Sequence, residues 1–173
     1  MDTTATFSTG DWVVHTYYGV GQIISIENKP IHEVATKCFQ VKTNDSTFWF
    51  PTTDTANPRI RPIASEEIIH RVINNLRSEA TYLDTDRAHW KQIIEDVQAD
   101  NDLISISLLI RDLSAQQVIR NLNQIEREAL NHYKERLLGE WASIMGEEIE
   151  ILRPRLRSYI QEGQAKLDLP EKK

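Results

Sequence analysis

The sequence predicts an α+β fold: a small β-barrel or strongly bent sheet at the N-terminal end, followed by an all-helical half. Three observations predict it. Up to Pro62, apolar residues alternate with period two between clusters of turn residues. From Ser65 onward they recur at i, i+3 and i+4 instead. Between the two lies "NPRIRP" at 57–62, whose prolines disfavour helix at the residues before them. We therefore place a β domain at 8–64 and a helical domain at 65–165, with flexible termini at 1–7 and 166–173.

The strands are read in order. "DWVVH" puts Trp12 and Val14 on one face and Val13 and His15 on the other, with Trp12 and Val14 expected in the core. "GQIISIENK" pairs Ile24 with Ile26. "CFQVK" and "STFWFP" follow, rich in aromatic and β-branched residues. Gly19 and Gly21, Asn28-Lys29-Pro30 and Asn44-Asp45-Ser46 read as the turns between them. Gly19 and Gly21 are expected at a tight corner that needs φ > 0. A sheet of four or five short strands closes on itself to limit exposed edges.

The helices follow. Ser65 reads as an N-cap, with Glu66 and Glu67 in the first turn near the positive end of the dipole. Ile68, Ile69, Val72, Ile73 and Leu76 form the first apolar stripe. A second helix is expected from about Thr85 to Ala99. "LISISLLIRDL" fits either a strand or a helix by periodicity, and the capping residues Asn101-Asp102 favour helix. Leu122, Ile125, Ala129, Leu130, Tyr133, Leu137, Trp141 and Ile144 mark a long fourth helix. In the last segment, with Ile149, Leu152, Leu156 and Ile160, Pro154 must kink the helix or open a new one.

Composition narrows the function. A chain that is 40% hydrophobic and 27% charged is ordinary for a soluble globular protein. No apolar run is long enough to span a bilayer, and the N-terminus lacks the basic and apolar regions of a signal peptide. The single cysteine, Cys38, cannot form an internal disulfide; a buried thiol in a reducing cytoplasm is expected. Net charge is −6. Residues 1–65 hold 5 basic and 6 acidic side chains, net −1, and residues 66–173 hold 15 and 20, net −5. That balance argues against strong autonomous DNA binding.

Catalytic constellations are not apparent. His15, His32, His70, His89 and His132 are scattered, and one cysteine excludes a cysteine-rich zinc site. No HExxH, phosphate-loop or GxSxG pattern occurs, and "GVG" is followed by a strand, not by the helix of a dinucleotide loop. No cofactor, metal or small-molecule substrate is therefore expected. Two surface candidates remain. In "TFWFP", Phe48 and Phe50 share one face; if they fill the barrel, Trp49 points outward with Thr47 as a protein-contact anchor, and otherwise it packs under the helical half. In "DTDRAHWKQ", Arg87, His89, Trp90 and Lys91 set an aromatic among basic groups, as in a DNA contact. Trp90 also shares a helical face with Ile94 and Val97, which reads equally as core. Trp141, on the stripe of the long helix, reads as core.

These stretches carry a family resemblance. "GDWVVHTYYGVGQI" and "FWFPTTDTANPRIRPIASEEI" resemble the opening blocks of the CarD/CdnL family of bacterial transcription regulators. "IRDL" at 110–113, "RNLNQIEREAL" at 120–130 and "LLGEWA" at 137–142 are similar to its helical blocks, so the likeness covers residues 8–145. A related barrel occurs in the transcription-repair coupling factor, but this chain has no helicase motif. The resemblance implies a Tudor/SH3-like barrel that docks on the RNA polymerase β subunit through Lys29, Trp49 and Thr47. It also implies a helical domain that touches promoter DNA at the upstream bubble edge, where a family tryptophan wedges into the minor groove and stabilises the open complex. That tryptophan aligns near Asp86, one helical turn before Trp90, while Glu128 and His132 stand at positions that are basic in the family. Such contacts would be weak and tethered, through Arg87, His89, Trp90 and Lys91. The implied location is cytoplasmic, on the nucleoid through polymerase. The alternative is a helical half that only binds protein.

Overall fold

A computed structural model describes residues 7–81 and 86–167, apart from the side chain of Arg87. The chain divides into two compact units, Met1–Ile63 and Ala64–Lys173. The first is a five-stranded antiparallel sheet and the second is helical.

The strands are β1 (Trp12–His15), β2 (Gly19–Ile31), β3 (Val34–Lys42), β4 (Thr47–Pro51) and β5 (Ile60–Pro62), in the sheet order β4-β3-β2-β1-β5. Every pairing is antiparallel. Phe39 and Val41 on β3 face Phe50 and Phe48 on β4, and these four join Phe7, Val13, Ile23 and Ile60 in one buried cluster. Phe7 meets the Phe39 and Phe50 rings edge-on at 6.4 and 5.8 Å. The first described residue is thus a core residue and not part of a loose tail. Lys166 and Leu167 of the other expected tail are also held, by hydrogen bonds to the end of the last helix and, through Lys166, to Arg77; 1–6 and 168–173 lie outside the described residues.

Several strand expectations need correction. Trp12 is 39% exposed and not core, whereas Val13 and Val14 are both buried. Alternation tells which residues share a face, not which face is inward. Ile24 and Ile26 do not pair on one face: a bulge between Ile23 and Ser25 takes up Ile24 and sets Ile26 opposite Phe39, and both isoleucines are exposed. Asn28-Lys29-Pro30 is strand, not turn. Pro30 is tolerated there because β1 pairs only with Gly19–Gln22, which leaves that side of β2 without a partner strand. The chain reverses at His32-Glu33, whose φ values of 48° and 66° make the two-residue turn that matches strand twist. Gly19 has φ 74°, but Gly21 is extended. Gly21 is small for another reason: a Cβ there would stand 2.7 Å from Val41 Cγ1 and 2.9 Å from the Lys42 carbonyl oxygen.

The helices are α1 (Glu66–Arg77), α2 (Arg87–Asp100), α3 (Leu103–Ile119), α4 (Gln124–Met145) and α5 (Ile149–Gln164). Ser65 accepts from the Ile68 N–H, with Glu66 and Glu67 in the first turn of α1. Asp86 and Asp102 cap α2 and α3 in the same manner, while Asn101 ends α2 in the left-handed conformation. Asn123 and Glu126 form a reciprocal capping box on α4. Thr85, the expected start of α2, lies outside the described residues.

The ambiguous segment is α3, and it is the axis of the unit. It touches each of the other four helices, so it is buried nearly all round and shows no single apolar stripe. Of the stripe read for α4, Ile125 is exposed and Leu122 precedes the helix. The buried face carries Glu126, Ala129, Leu130, Tyr133, Leu137, Leu138, Glu140 and Trp141 instead, because two carboxylates have internal partners. Pro154 lies inside the single helix α5, and neither starts a new one nor ends the old. α5 crosses α1 at Gly163, where a Cβ would collide with the Leu76 carbonyl oxygen. Lys166 Nζ donates to the Arg77 carbonyl at 2.7 Å and Arg77 pairs with Glu162 at 2.6 Å, which pins the same crossing.

Candidate functional site

The outer face of the sheet is built by register. Trp49 pairs with Gln40 and Gln40 with Ser25, while Cys38 pairs with both Glu27 and Pro51. Period two then sets Ser25, Glu27 and Lys29 of β2 on the face shared by Cys38, Gln40 and Trp49. Phe48 and Phe50 fill the interior, and Trp49 is 40% exposed. Thr47 is exposed on the same side of β4, opposite Lys42.

Three of these side chains hold one another. The Trp49 indole N–H donates to Glu27 Oε2 at 3.2 Å. Lys29 Nζ lies 3.2 Å from the same oxygen and 4.2 Å from the indole centroid. The indole therefore crosses β3 past Cys38, which is fully buried although it lies on this face. The Lys29 ammonium, bonded to Glu27, holds that carboxyl below its ordinary range, and the indole N–H adds to the effect against opposing desolvation. The outcome is a wide aromatic surface in a fixed orientation, with a cation on its face and a carboxylate at its edge. Fixing a large side chain before contact lowers the entropy lost on binding.

Among the described residues, this face ends at an unpaired strand edge. β4 is the terminal strand, hydrogen-bonded to β3 on one side. Beside it runs a groove of about 460 Å³ lined by His15, Tyr18, Phe48, Trp49 and Arg59 among others. Tyr18 stacks on Phe48 at 4.9 Å, and His15 Nδ1 accepts from the N–H groups of Tyr17 and Tyr18. Tyr17 is 80% exposed at the tip of that turn. A strand edge flanked by Tyr18 and Trp49 suits an extended segment of another protein.

Sequence reading missed Glu27, Tyr17 and Tyr18. Glu27 and Lys29 stand two apart, which is the signal for one strand face, but reading 28–30 as a turn hid it. Tyr17 and Tyr18 sit inside the opening motif, where they read as spacing between glycines.

The second group does not present its tryptophan at the surface. Trp90 is 1% exposed and belongs to the helical core, the other of the two readings its spacing allows. His89 and Lys91 are exposed beside it, and Lys91 pairs along the helix with Glu95 at 3.7 Å. Arg87 lies in the first turn of α2. Trp141 is buried and stacks on Tyr159 at 6.1 Å.

The helical motifs turn out to be struts. In "IRDL", Arg111 Nε donates to Asp112 Oδ1 at 2.6 Å, and its other nitrogens reach the Ser78 and Thr81 hydroxyls. Arg120 forks onto Glu126 at 2.8 and 2.9 Å. Glu140 accepts from the Ala64 N–H at 2.9 Å. Among the described residues, no three His, Cys, Asp or Glu side chains are grouped to hold a metal ion, and no helix is long and apolar enough to cross a membrane.

Comparison with known proteins agrees with this division. No curated protein matches the chain. Residues 7–64 match the family model described as CarD-like/TRCF RID domain, which covers the five-stranded unit. An RID domain implies binding to RNA polymerase and suggests a transcription regulator, and CarD-like proteins are typically non-catalytic. The sheet is thus a CarD-like RNA-polymerase-interacting domain, and its union with a separate helical unit is consistent with a protein of the CarD/CdnL family.

Proposed function

We propose that this chain regulates transcription by docking on the β subunit of RNA polymerase through the outer face and free edge of β4, and that its helical unit acts on the promoter open complex. The observation that carries the docking surface is the exposed Trp49, held by Glu27 and Lys29 on the terminal strand of a domain whose class binds polymerase. Trp49 is the anchor, Lys29 sets its orientation and Thr47 flanks it. The β4 backbone offers strand pairing to the partner. Replacing Trp49 with Ala is expected to abolish co-purification with the β subunit while the sheet's circular dichroism stays unchanged. If polymerase still co-purifies with that folded variant, Trp49 is not the anchor.

The DNA contact rests on the start of α2. There Trp90 anchors the first turns to the core, and Arg87, His89 and Lys91 would be the groups that meet phosphates. Docking on polymerase supplies the effective concentration that an acidic unit needs. A second reading, in which the helical unit binds only protein, is favoured by its charge of −5 and by the burial of Trp90. Crosslinking from position 91 to upstream promoter DNA within a polymerase complex separates the two: a crosslink supports the contact, and its absence with polymerase still bound supports the second reading.

A further inference from the structure

A groove of about 340 Å³ opens between α3, α4 and α5, a size typical of small-molecule sites. Its lining is unusual for this acidic half of the chain. Three cations, Lys134, Arg153 and Arg157, face it with a single carboxylate, Glu135. That carboxylate is already engaged by both terminal nitrogens of Arg153. Lys134 and Arg157 make no hydrogen bond or ion pair with any described residue, although they are close enough for the Arg157 charge to oppose that of Lys134. Desolvation, with this repulsion second, holds the Lys134 ammonium below its ordinary range. On the α3 wall of the groove, Ser114 is 1% exposed and its hydroxyl has no hydrogen-bond partner among the described residues.

A half-buried cation set beside a second cation, with the groove's one carboxylate already taken by Arg153, is an arrangement that destabilises a fold unless something answers it. A buried hydroxyl without a partner adds to the same cost. All three groups are donors, and all three line one groove. An oxyanion with several acceptor oxygens would satisfy them together. Leu156 and Ile160 add an apolar wall for the remainder of a ligand. Lys134 lies about 200° around α4 from His132, so the groove is on another face from the family-basic positions noted above.

We propose that this groove is a binding site for a small phosphorylated ligand, with Lys134 and Arg157 holding its phosphates and Ser114 donating to a phosphate oxygen. The assignment does not depend on the polymerase-docking reading.

The test is calorimetric titration and thermal melting of the full chain with inorganic phosphate, pyrophosphate and adenosine triphosphate, against chloride at matched ionic strength. Pyrophosphate and the triphosphate are expected to bind saturably and raise Tm, and phosphate to bind more weakly. Lys134→Met and Arg157→Gln should each weaken binding by roughly tenfold or more, the loss expected of a charge-assisted hydrogen bond. Without ligand, Lys134→Met should melt above the parent, because it removes an unpaired ammonium; a purely structural lysine would not behave so. Arg155→Gln, a residue paired with Glu147 and outside the groove lining, should leave binding unchanged. Absence of saturable binding beyond chloride, or unchanged affinity in Lys134→Met, overturns the assignment. Binding of duplex DNA that depends on Lys134, with none of the small anions, overturns it in favour of a nucleic-acid face.

Discussion

The two units bury different things. The sheet hides phenylalanines, valines and isoleucines, and Thr43 is the one polar side chain it buries among the described residues. The helical unit hides Arg111, Asp112, Glu126 and Glu140. In the sheet, the residues that carry the family resemblance divide by face: Phe48 and Phe50 build the core and Trp49 is left exposed. In the helices, "IRDL", "RNLNQIEREAL" and "LLGEWA" carry Arg111, Asp112, Glu126, Glu140 and Trp141, all of them interior. A likeness in the sheet therefore speaks to recognition, whereas a likeness in the helices speaks to architecture. Similarity of the helical blocks is weak evidence for a shared DNA contact.

The sharpest way to break this contrast is to remove one buried charge. Asp112→Ala leaves the Arg111 guanidinium inside the helical unit without its carboxylate. The expected loss is about 3–5 kcal/mol, read from the urea midpoint of the helical signal. A smaller effect separates two helical glycines. Gly163→Ala drives a methyl into the Leu76 carbonyl and should cost about 1–3 kcal/mol. Gly139→Ala, with nothing within 4 Å of the added Cβ, should stabilise by roughly 0.5–1 kcal/mol. Equal shifts in thermal melting for both variants would show that helix propensity, not the α1–α5 crossing, sets the response.

The smallest effect is electrostatic. Desolvation, with the Arg136 charge second, holds the His132 imidazole below its ordinary value, where it meets the Tyr133 ring edge-on. The unfolded chain then binds this proton more readily than the folded one. The stabilisation is complete above about pH 6.5 and is lost as pH falls through the folded value. The stability difference between the parent and His132→Gln should shrink as pH drops below that point. A difference independent of pH would remove His132 from the linkage.

Fold class was legible because period two and period 3.6 occupy separate parts of the chain. The Ser65 cap and the core position of Trp141 followed from local chemistry alone. Other features depended on partners far away in sequence. The bulge at Ile23/Ser25 and the turn at His32-Glu33 carry no glycine or proline of their own, so β2 read as shorter than it is. Ile125 fits the apolar period of α4 yet is exposed, and Glu126 breaks it yet is buried, because Arg120 waits inside. The Trp49 surface was half legible: alternation with Phe48 and Phe50 turned it outward, but Glu27 becomes its neighbour only through β2–β3–β4 register. The α3–α4–α5 groove gave no signal, since Ser114, Lys134 and Arg157 lie on three helices and each reads alone as ordinary surface or spacer.

The indole that crosses β3 has a practical consequence for the thiol it passes. Cys38 is the sole cysteine of the chain and is fully shielded on the face that Trp49, Glu27 and Lys29 share. Alkylation of that sulfur is therefore expected to report the opening of this face, slowed by a partner that holds the indole in place and hastened by one that pulls it aside.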